Sequence, residues 1–234
     1  HNPVLTLDED TYVKELLVGL DAFPAYYAHM GPTNLVGAPS VSLELPSRAD
    51  SSEVRRRLDD GEWVVDLRHR RAFAHGHVAG SLSIGIDGSF ATYLGWLIPW
   101  GTPLTLIGGT SDDVAAAQRE LVRIGIDRVA AMVPGDPAEW ADLVSLRRVE
   151  FAELATRPTD AVVLDVRRRL EYAAGHLAGS VHIPLHELSA RLDEIPDGVV
   201  WVHCQSGYRS SIAASLLARA GREVVHVDGD FVLL

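Results

Sequence analysis

Short apolar runs alternate with mixed polar and apolar segments along most of this chain. In its last third, compact β-branched runs predict buried strands at 161–166, 198–204 and 223–229, with a shorter strand at 180–184. Segments with helical spacing precede or separate these runs, at 149–156, 168–175, 185–195 and 210–221. This alternation predicts an α/β fold in which helices cover both faces of a small, mainly parallel sheet.

The sequence also repeats itself over a domain-sized distance. The segments "VVDLRHRRAFAHGHVAGSLSI" (64–84) and "VLDVRRRLEYAAGHLAGSVHI" (163–183) share Asp-x-Arg, Gly-His and Ala-Gly-Ser elements in the same order. Further on, 115–132 corresponds to 211–227, and the first copy carries three extra residues around 86–100. A period of this length indicates repeated domains rather than a solenoid.

We therefore predict two tandem domains, at 39–139 and 140–234, joined where Pro and Gly residues cluster. Residues 1–38 match neither copy. Within them we expect an amphipathic helix from Asp8 to Gly19, with Asp8 as its N-cap, followed by an irregular Pro- and Tyr-rich stretch. The chain does not start with methionine, so we expect it to be a piece of a longer polypeptide.

Composition narrows the classes of function. A formal net charge of -11 argues against general nucleic-acid binding, which needs clustered Lys and Arg. No apolar run reaches the length of a membrane span, and no signal peptide is evident. A single cysteine excludes an internal disulfide framework and any CxxC zinc or redox pair. We therefore expect a cytoplasmic protein that binds neither membrane nor nucleic acid, with a homodimer left open.

The single cysteine, Cys204, stands where a predicted strand ends and a helix begins. This is the carboxyl edge of a parallel sheet, where ligands usually bind. Gly207 can adopt the positive φ of a tight turn, the helix directs its N–H groups back at the sulfur, and Arg209 adds a positive charge. These features favour the thiolate, which is the nucleophilic form. The alternative is a small buried hydrophobic residue at a strand end.

The second copy closely resembles the rhodanese, or thiosulfate sulfurtransferase, family. The resemblance rests on "LDVRRRLEYAAGHLAGSVHIPLHEL" followed by "VHCQSGYRSSIAASLL", and it covers essentially all of 141–230. It implies two tandem rhodanese-like domains, with Cys204 as the nucleophile that carries sulfur as a persulfide. It also implies that the backbone amides of the following loop hold this persulfide and that Arg209 attracts anionic donors. The loop residues are Gln205, Ser206, Gly207, Tyr208, Arg209 and Ser210.

The resemblance predicts a sulfurtransferase that moves sulfane sulfur from thiosulfate or a low-molecular-weight persulfide to a thiol or cyanide. One alternative is a sulfur-relay or interaction module without turnover of a small donor. Another is a dual-specificity phosphatase of related fold, which is disfavoured because such enzymes place the arginine one position later, where this chain has Ser210. Of the neighbouring residues, we expect Asp165 and Arg167 to form a structural ion pair and His203 to point to the opposite face of the sheet.

The first copy lacks this chemistry. The repeat aligns Cys204 with Gly108, and Asp112 and Asp113 replace Tyr208 and Arg209. Because glycine cannot carry sulfur and carboxylates repel anionic donors, we predict a catalytically silent domain. It either supports the interface between the copies or shapes the donor pocket.

Residues 2–37 resemble the closing segment of a metallo-β-lactamase-fold domain, through "NP-x-L", "LL-x-GL", "P-x-YY-x-x-M" and "N-x-x-G". Such domains occur in fusions of a persulfide dioxygenase-like domain with rhodanese domains. The resemblance implies an upstream domain in the same polypeptide that would oxidise persulfides at iron. We expect no metal or cofactor in this chain itself, with small sulfur donors and thiol acceptors as its partners.

Overall fold

The computed structural model describes residues 5–18, 22–135, 137, 140 and 143–232. The chain opens with two helices, α1 (Glu9–Val18) and α2 (Tyr27–Val36). Asp8 caps α1 as predicted, since Oδ1 and Oδ2 accept from the backbone N–H and the hydroxyl of Thr11. The predicted helix end at Gly19 and the residues before Leu5 lie outside the described residues.

The helix α2 corrects the prediction of an irregular stretch. It contains Pro32, a residue that usually breaks a helix because it lacks an N–H and crowds the preceding turn. The hydroxyl of Thr33 donates to the carbonyl of His29 at 2.8 Å, and the His29 ring stacks on Trp100 at 4.1 Å. Contact with the first copy thus stabilises a helix that local sequence disfavours.

The first copy forms a parallel four-stranded sheet with the order β3-β1-β4-β5. Its strands are β1 (Trp63–Asp66), β3 (Leu82–Ser83), β4 (Leu104–Ile107) and β5 (Val129–Val133). Its helices are α3 (Ser51–Asp59), α4 (Arg70–His75), α5 (Phe90–Leu97) and α6 (Ser111–Val122). The three extra residues predicted around 86–100 lie in the segment that contains α5. A short strand, β2 (His77–Val78), pairs antiparallel with β6 (Leu143–Val144).

The second copy forms a parallel five-stranded sheet with the order β7-β11-β10-β8-β9. The strands are β7 (Arg147–Glu150), β8 (Val162–Asp165), β9 (Val181–His182), β10 (Val200–His203) and β11 (Val224–Asp228). The helices are α7 (Arg169–Ala174) and α8 (Tyr208–Arg219). The α/β class and the parallel sheets are confirmed for the described residues.

Two predicted helices of the second copy are corrected. The start of 149–156 belongs to the edge strand β7, and a 3₁₀-helix follows at Phe151–Thr156. The segment 185–195 forms two short 3₁₀-helices, Leu185–Ala190 and Leu192–Glu194, instead of one α-helix. Both segments are short, and their few apolar positions fit one tight turn as well as an α-helix.

The helix α8 lies between the two copies. Its residues from Ser210 to Leu217 are all buried, and its serines bond to strand β3 of the first copy. The Ser215 hydroxyl oxygen accepts from the Ser83 N–H at 3.0 Å, and the Ser83 and Ser211 hydroxyls are 2.7 Å apart. The loop that precedes α8 therefore sits at the boundary between the copies. Across the described residues, no helix combines the length and apolar character needed to cross a membrane.

Candidate active site

Cys204 lies between β10 and α8, with 2% of its surface exposed. The backbone N–H of Gly207 donates to its sulfur at 3.2 Å. The thiol in turn points at Oγ of Ser210, 3.5 Å away. The Ser210 hydroxyl lies 3.0 Å from the carbonyl of Val227, to which it donates. The sulfur therefore has hydrogen-bonding neighbours in a site whose other walls are apolar.

Gly207 is the most constrained residue of the loop. Its φ of 93° lies in the left-handed region, and a Cβ at this position would overlap Oδ1 of Asp228. Its carbonyl accepts from the Ser210 hydroxyl at 3.1 Å, the Ser211 N–H at 3.1 Å and the His226 ring at 3.0 Å. These contacts hold the Gly207 peptide on both sides, and they thereby fix the N–H that reaches the sulfur.

His226 contributes to this arrangement as a neutral group. Burial lowers its pKa to about 4, although the nearby Asp228 charge opposes the shift. A carbonyl can only accept, so Nε2 carries the proton in the bond to Gly207. His226 thus acts as a fixed donor on strand β11, and its role was not predicted from the sequence.

Arg209 is paired with Glu171 of α7. Its two terminal nitrogens donate to the two carboxylate oxygens at 2.6 and 2.7 Å. Burial works against both charges, yet the mutual hydrogen bonds keep the pKa of Glu171 below and that of Arg209 above their ordinary values. Because the Glu171 charge offsets that of Arg209, attraction of anionic donors by Arg209 stays a prediction.

The remaining predicted loop residues make contacts on both sides of the loop. The carbonyl of Gln205 accepts from the Phe231 N–H at 2.8 Å, and the carbonyl of Ser206 accepts from Arg70 at 3.4 Å. The Tyr208 hydroxyl donates to the carbonyl of Gly85 at 2.6 Å, and burial raises the pKa of this phenol. The loop therefore contacts the first copy through Ser206 and Tyr208.

The expected ion pair between Asp165 and Arg167 is confirmed, with a distance of 2.7 Å. Arg167 also donates to the carbonyl of Gly175 at 2.8 Å, so it ties the end of β8 to the end of α7. His203 lies on the side of the sheet that carries Phe151 and Phe231, with both ring centroids 5.7 Å away. Burial lowers the pKa of His203, which makes it a neutral packing residue.

A narrow cleft with a cavity volume of about 10 Å³ lies next to Arg209. Tyr93 and Trp96, from helix α5 of the first copy, form one wall of the cleft. The second copy supplies the other walls, with Val166, Arg168, Leu185, His186 and Arg209. The rings of Trp96 and His186 pack edge to face, with their centroids 4.4 Å apart. The cleft is therefore shared between the copies and joins apolar walls to cationic groups.

The corresponding loop of the first copy is built differently. Gly108 has a φ of 79°, and a Cβ there would lie 2.6 Å from Cγ of Arg68. Thr110 is the N-cap of α6 and forms a capping box with Asp113, whose Oδ2 accepts from the N–H and the hydroxyl of Thr110 at 2.6 and 2.9 Å. A carboxylate of the chain itself thus occupies the helix N-terminus, in agreement with the charge reversal expected there. That this copy is catalytically silent stays a prediction.

The family comparison agrees with the repeat. The family described as "Rhodanese-like domain" matches residues 50–142 and again 149–233. The chain belongs to the rhodanese family. The exact boundaries of the two rhodanese-like domains, predicted at 38/39 and 139/140, stay predictions.

Curated relatives carry sulfur-related names. The thiosulfate sulfurtransferase GlpE of Pseudomonas entomophila is 37% identical over 82 residues, which cover 34% of this chain and 75% of that protein. The putative sulfur carrier protein YrkF of Bacillus subtilis is 39% identical over 67 residues, covering 28% of this chain and 36% of that protein. Together with the family match, these relatives indicate a function of the sulfurtransferase family.

The matches are partial in length. The chain spans 36%, 58% and 39% of three of the curated relatives it matches. A solved metallo-beta-lactamase of Staphylococcus aureus is 25% identical, with 55% of this chain and 34% of that one covered and a TM-score of 0.47. Within the described ranges, no three His, Cys, Asp or Glu side chains form a group that could hold a metal ion.

Proposed function

We propose that this chain is a sulfurtransferase that works through a persulfide on Cys204. In the first half-reaction, the thiolate attacks the outer sulfur of thiosulfate or of a low-molecular-weight persulfide. The sulfur–sulfur bond of the donor breaks, and sulfite or the donor thiolate leaves with the electron pair. In the second, an acceptor thiolate or cyanide attacks the terminal sulfur, and the Cys204 thiolate is released for another cycle.

The hydrogen bond from the Gly207 N–H to the Cys204 sulfur is the observation that carries this proposal. A thiolate is stabilised by a fixed backbone donor and by the start of a helix, and α8 begins directly after Gly207. Ser210 can serve both states, because its hydroxyl accepts from the thiol and can turn to donate to a thiolate or persulfide.

The other loop residues have supporting roles in this proposal. In this role the amides from Gln205 to Ser210 would surround the persulfide, and the donor would approach from the side of the narrow cleft lined by Tyr93, Trp96 and Arg168. Arg209 and Glu171 set the position of the loop against α7. The protein would act in a reducing, cytoplasmic environment, where its one thiol stays free.

A sulfur-relay module is the second candidate. It is supported by the match to a protein named as a putative sulfur carrier and by the deep position of the sulfur, 2% exposed. A relay would receive sulfur from one protein partner and pass it to another without turnover of a small donor. The two candidates share the Cys204 persulfide and differ in the donor and the acceptor, which are small molecules for the enzyme and proteins for the relay.

The decisive experiment exposes the protein to thiosulfate, glutathione persulfide and polysulfide in turn, with intact mass and turnover both recorded. An enzyme gains the mass of one sulfur and transfers it to cyanide or a small thiol. Cys204→Ser and Cys204→Ala lose both signals, whereas Leu35→Ala, at a side chain 87% exposed, retains them. A stable mass gain without turnover supports the relay, and no mass gain with any donor contradicts both candidates.

We further propose that the natural polypeptide carries an upstream metallo-β-lactamase-fold domain that oxidises persulfides at iron. In support, α1, α2 and the residues between them expose apolar side chains, among them Leu17 at 59%, Phe23 at 70% and Leu35 at 87%. An apolar patch of this kind is typical of a surface covered by another domain. The protein isolated from its source should exceed 25.4 kDa and contain iron. A 25.4 kDa chain without iron contradicts the fusion.

A further inference from the structure

One arginine of the first copy, Arg70, contacts the Cys204 loop. Arg70, at the start of α4, donates from Nε to Oδ1 of Asp228 at 2.7 Å. Its terminal nitrogen lies 3.4 Å from the carbonyl of Ser206, to which it donates. These two acceptors lie on either side of Gly207, so a single side chain of the first copy spans the residue that contacts the sulfur.

Asp228 connects Arg70 to the Cys204 loop, because it bonds to Arg70 and packs against Gly207. Its side chain is 1% exposed at the end of β11, and its Oδ1 packs against the Cα position of Gly207 so closely that no Cβ would fit. The same oxygen accepts from the Gly229 N–H at 3.1 Å, while Oδ2 accepts from Arg148 at 3.1 Å. The carboxylate thus accepts hydrogen bonds from Arg70 of the first copy and Arg148 of the second, and its position depends on both.

We propose that Arg70 is a positioning residue for the Cys204 loop, so that the silent copy helps to hold the catalytic geometry of the active one. The inference rests on the proposed sulfurtransferase function. Arg70 fixes Asp228 and the Ser206 carbonyl, these fix the Gly207 peptide, and the Gly207 N–H stabilises charge on the Cys204 sulfur. Arg70 itself does not touch the sulfur or the donor.

Arg71 offers a matched control on the same helix. Its Nε lies 3.5 Å from Oδ2 of Asp228, and its side chain is 61% exposed, whereas that of Arg70 is 21% exposed. The two residues therefore present the same charge to the same carboxylate. Only the Arg70 contact has hydrogen-bond length and adds a bond to Ser206. If charge alone matters, Arg70→Gln and Arg71→Gln should behave alike.

The experiment compares Arg70→Gln, Arg70→Lys and Arg71→Gln in the complete chain, with thiosulfate as donor and cyanide as acceptor. For Arg70→Gln we expect kcat to fall about tenfold or more while KM for thiosulfate stays within about twofold, because the sulfur site is displaced and the donor cleft is intact. Arg70→Lys keeps the charge and should recover part of kcat. Arg71→Gln should match the wild type.

A second readout does not depend on turnover. Hydrogen exchange of peptides that cover 204–211 should become faster in Arg70→Gln and unchanged in Arg71→Gln, because loss of Arg70 frees the Ser206 and Gly207 peptides. Hydrogen exchange therefore tests whether Arg70 positions the loop even if the wild type is a relay without turnover. Tyr208→Phe removes the hydrogen bond from the Tyr208 hydroxyl to Gly85 of the first copy and keeps the ring. Hydrogen exchange at 204–211 should therefore become faster in this variant, but less so than in Arg70→Gln.

Two results would overturn the inference. One is a kcat for Arg70→Gln within about twofold of wild type together with unchanged exchange at 204–211. The other is an equal fall in Arg70→Gln and Arg71→Gln, which would assign the effect to surface charge. If Arg70→Gln does not fold, the Arg70→Lys and Tyr208→Phe exchange data are compared with Arg71→Gln, and identical loop exchange in all three counts against the role.

Discussion

At the residue scale, the site depends on how closely the chain packs around Gly207. This residue combines a left-handed φ with contact to Asp228 and a hydrogen bond to the Cys204 sulfur. The positive φ and the Asp228 contact are independent constraints on this position. The φ disfavours any residue with a side chain because of its backbone conformation, and the close approach of Asp228 leaves no space for a Cβ. A substitution here should therefore affect both stability and the position of the sulfur donor.

Gly207→Ala should cost about 1–2 kcal/mol for the left-handed φ and about 1–3 kcal/mol more for the clash with Asp228. Sulfur transfer should fall by about tenfold or more, because the Gly207 N–H moves away from the sulfur. Gly221→Ala is the matched control, since Gly221 has a φ of 78° and nothing within 4 Å of a Cβ. Urea unfolding and turnover measure the two effects. Equal stability loss and equal activity in both variants would contradict the packing argument.

The sequence allowed prediction of those site residues whose partners are near in the chain. Cys204 and Gly207 could be placed because a strand, a polar loop and a helix follow each other within one segment. Asp165 and Arg167 could be paired because they are close in sequence. The bond between Arg70 and Asp228 joins residues separated by 158 positions, and no local signal connects them. The contacts of Arg70 and Asp228 around Gly207 could therefore not be predicted from the sequence.

At the scale of elements, the central strands and the short edge strand β9 were predicted from the sequence, whereas the opposite edge strand, β7, was not. β8, β10 and β11 are compact runs of Val, Leu and Trp, which the apolar pattern identifies directly. β7 reads Arg-Arg-Val-Glu, and only Val149 is buried, so its strand character comes from pairing with β11. Helix α2 was missed because Pro32 predicts a break, which contact between His29 and Trp100 offsets.

The strand-loop-helix element of the first copy should not regain sulfur chemistry from a thiol alone. In Gly108→Cys combined with Cys204→Ser, the new side chain would meet Arg68, and the helix N-terminus is already occupied by Asp113. We expect no added sulfur after exposure to thiosulfate, and a stability loss of about 1–3 kcal/mol from the left-handed φ and crowding. Intact mass and thermal unfolding test this. One added sulfur would show that the first copy retains a working site.

At the scale of the whole molecule, the two copies share one core. A single buried apolar cluster includes Leu94 and Leu106 of the first copy together with Leu164, Cys204 and Ile212 of the second. The serine contacts between β3 and α8 and the bonds of Arg70 and Tyr208 cross the same boundary. A shared core of this kind couples the stability of the copies, so the first copy should not unfold separately from the second.

Leu94→Ala tests this coupling, because Leu94 is fully buried on α5 of the first copy. The lost packing should cost about 2–5 kcal/mol and lower the urea midpoint of the whole chain. Two probes should shift together: circular dichroism, and reaction of Cys204 with a thiol reagent, which reports on the second copy. Leu35→Ala, at a side chain 87% exposed, should leave both midpoints unchanged. If Leu94→Ala produces an early transition by circular dichroism while Cys204 stays protected to the wild-type midpoint, the copies unfold independently and the shared core does not couple them.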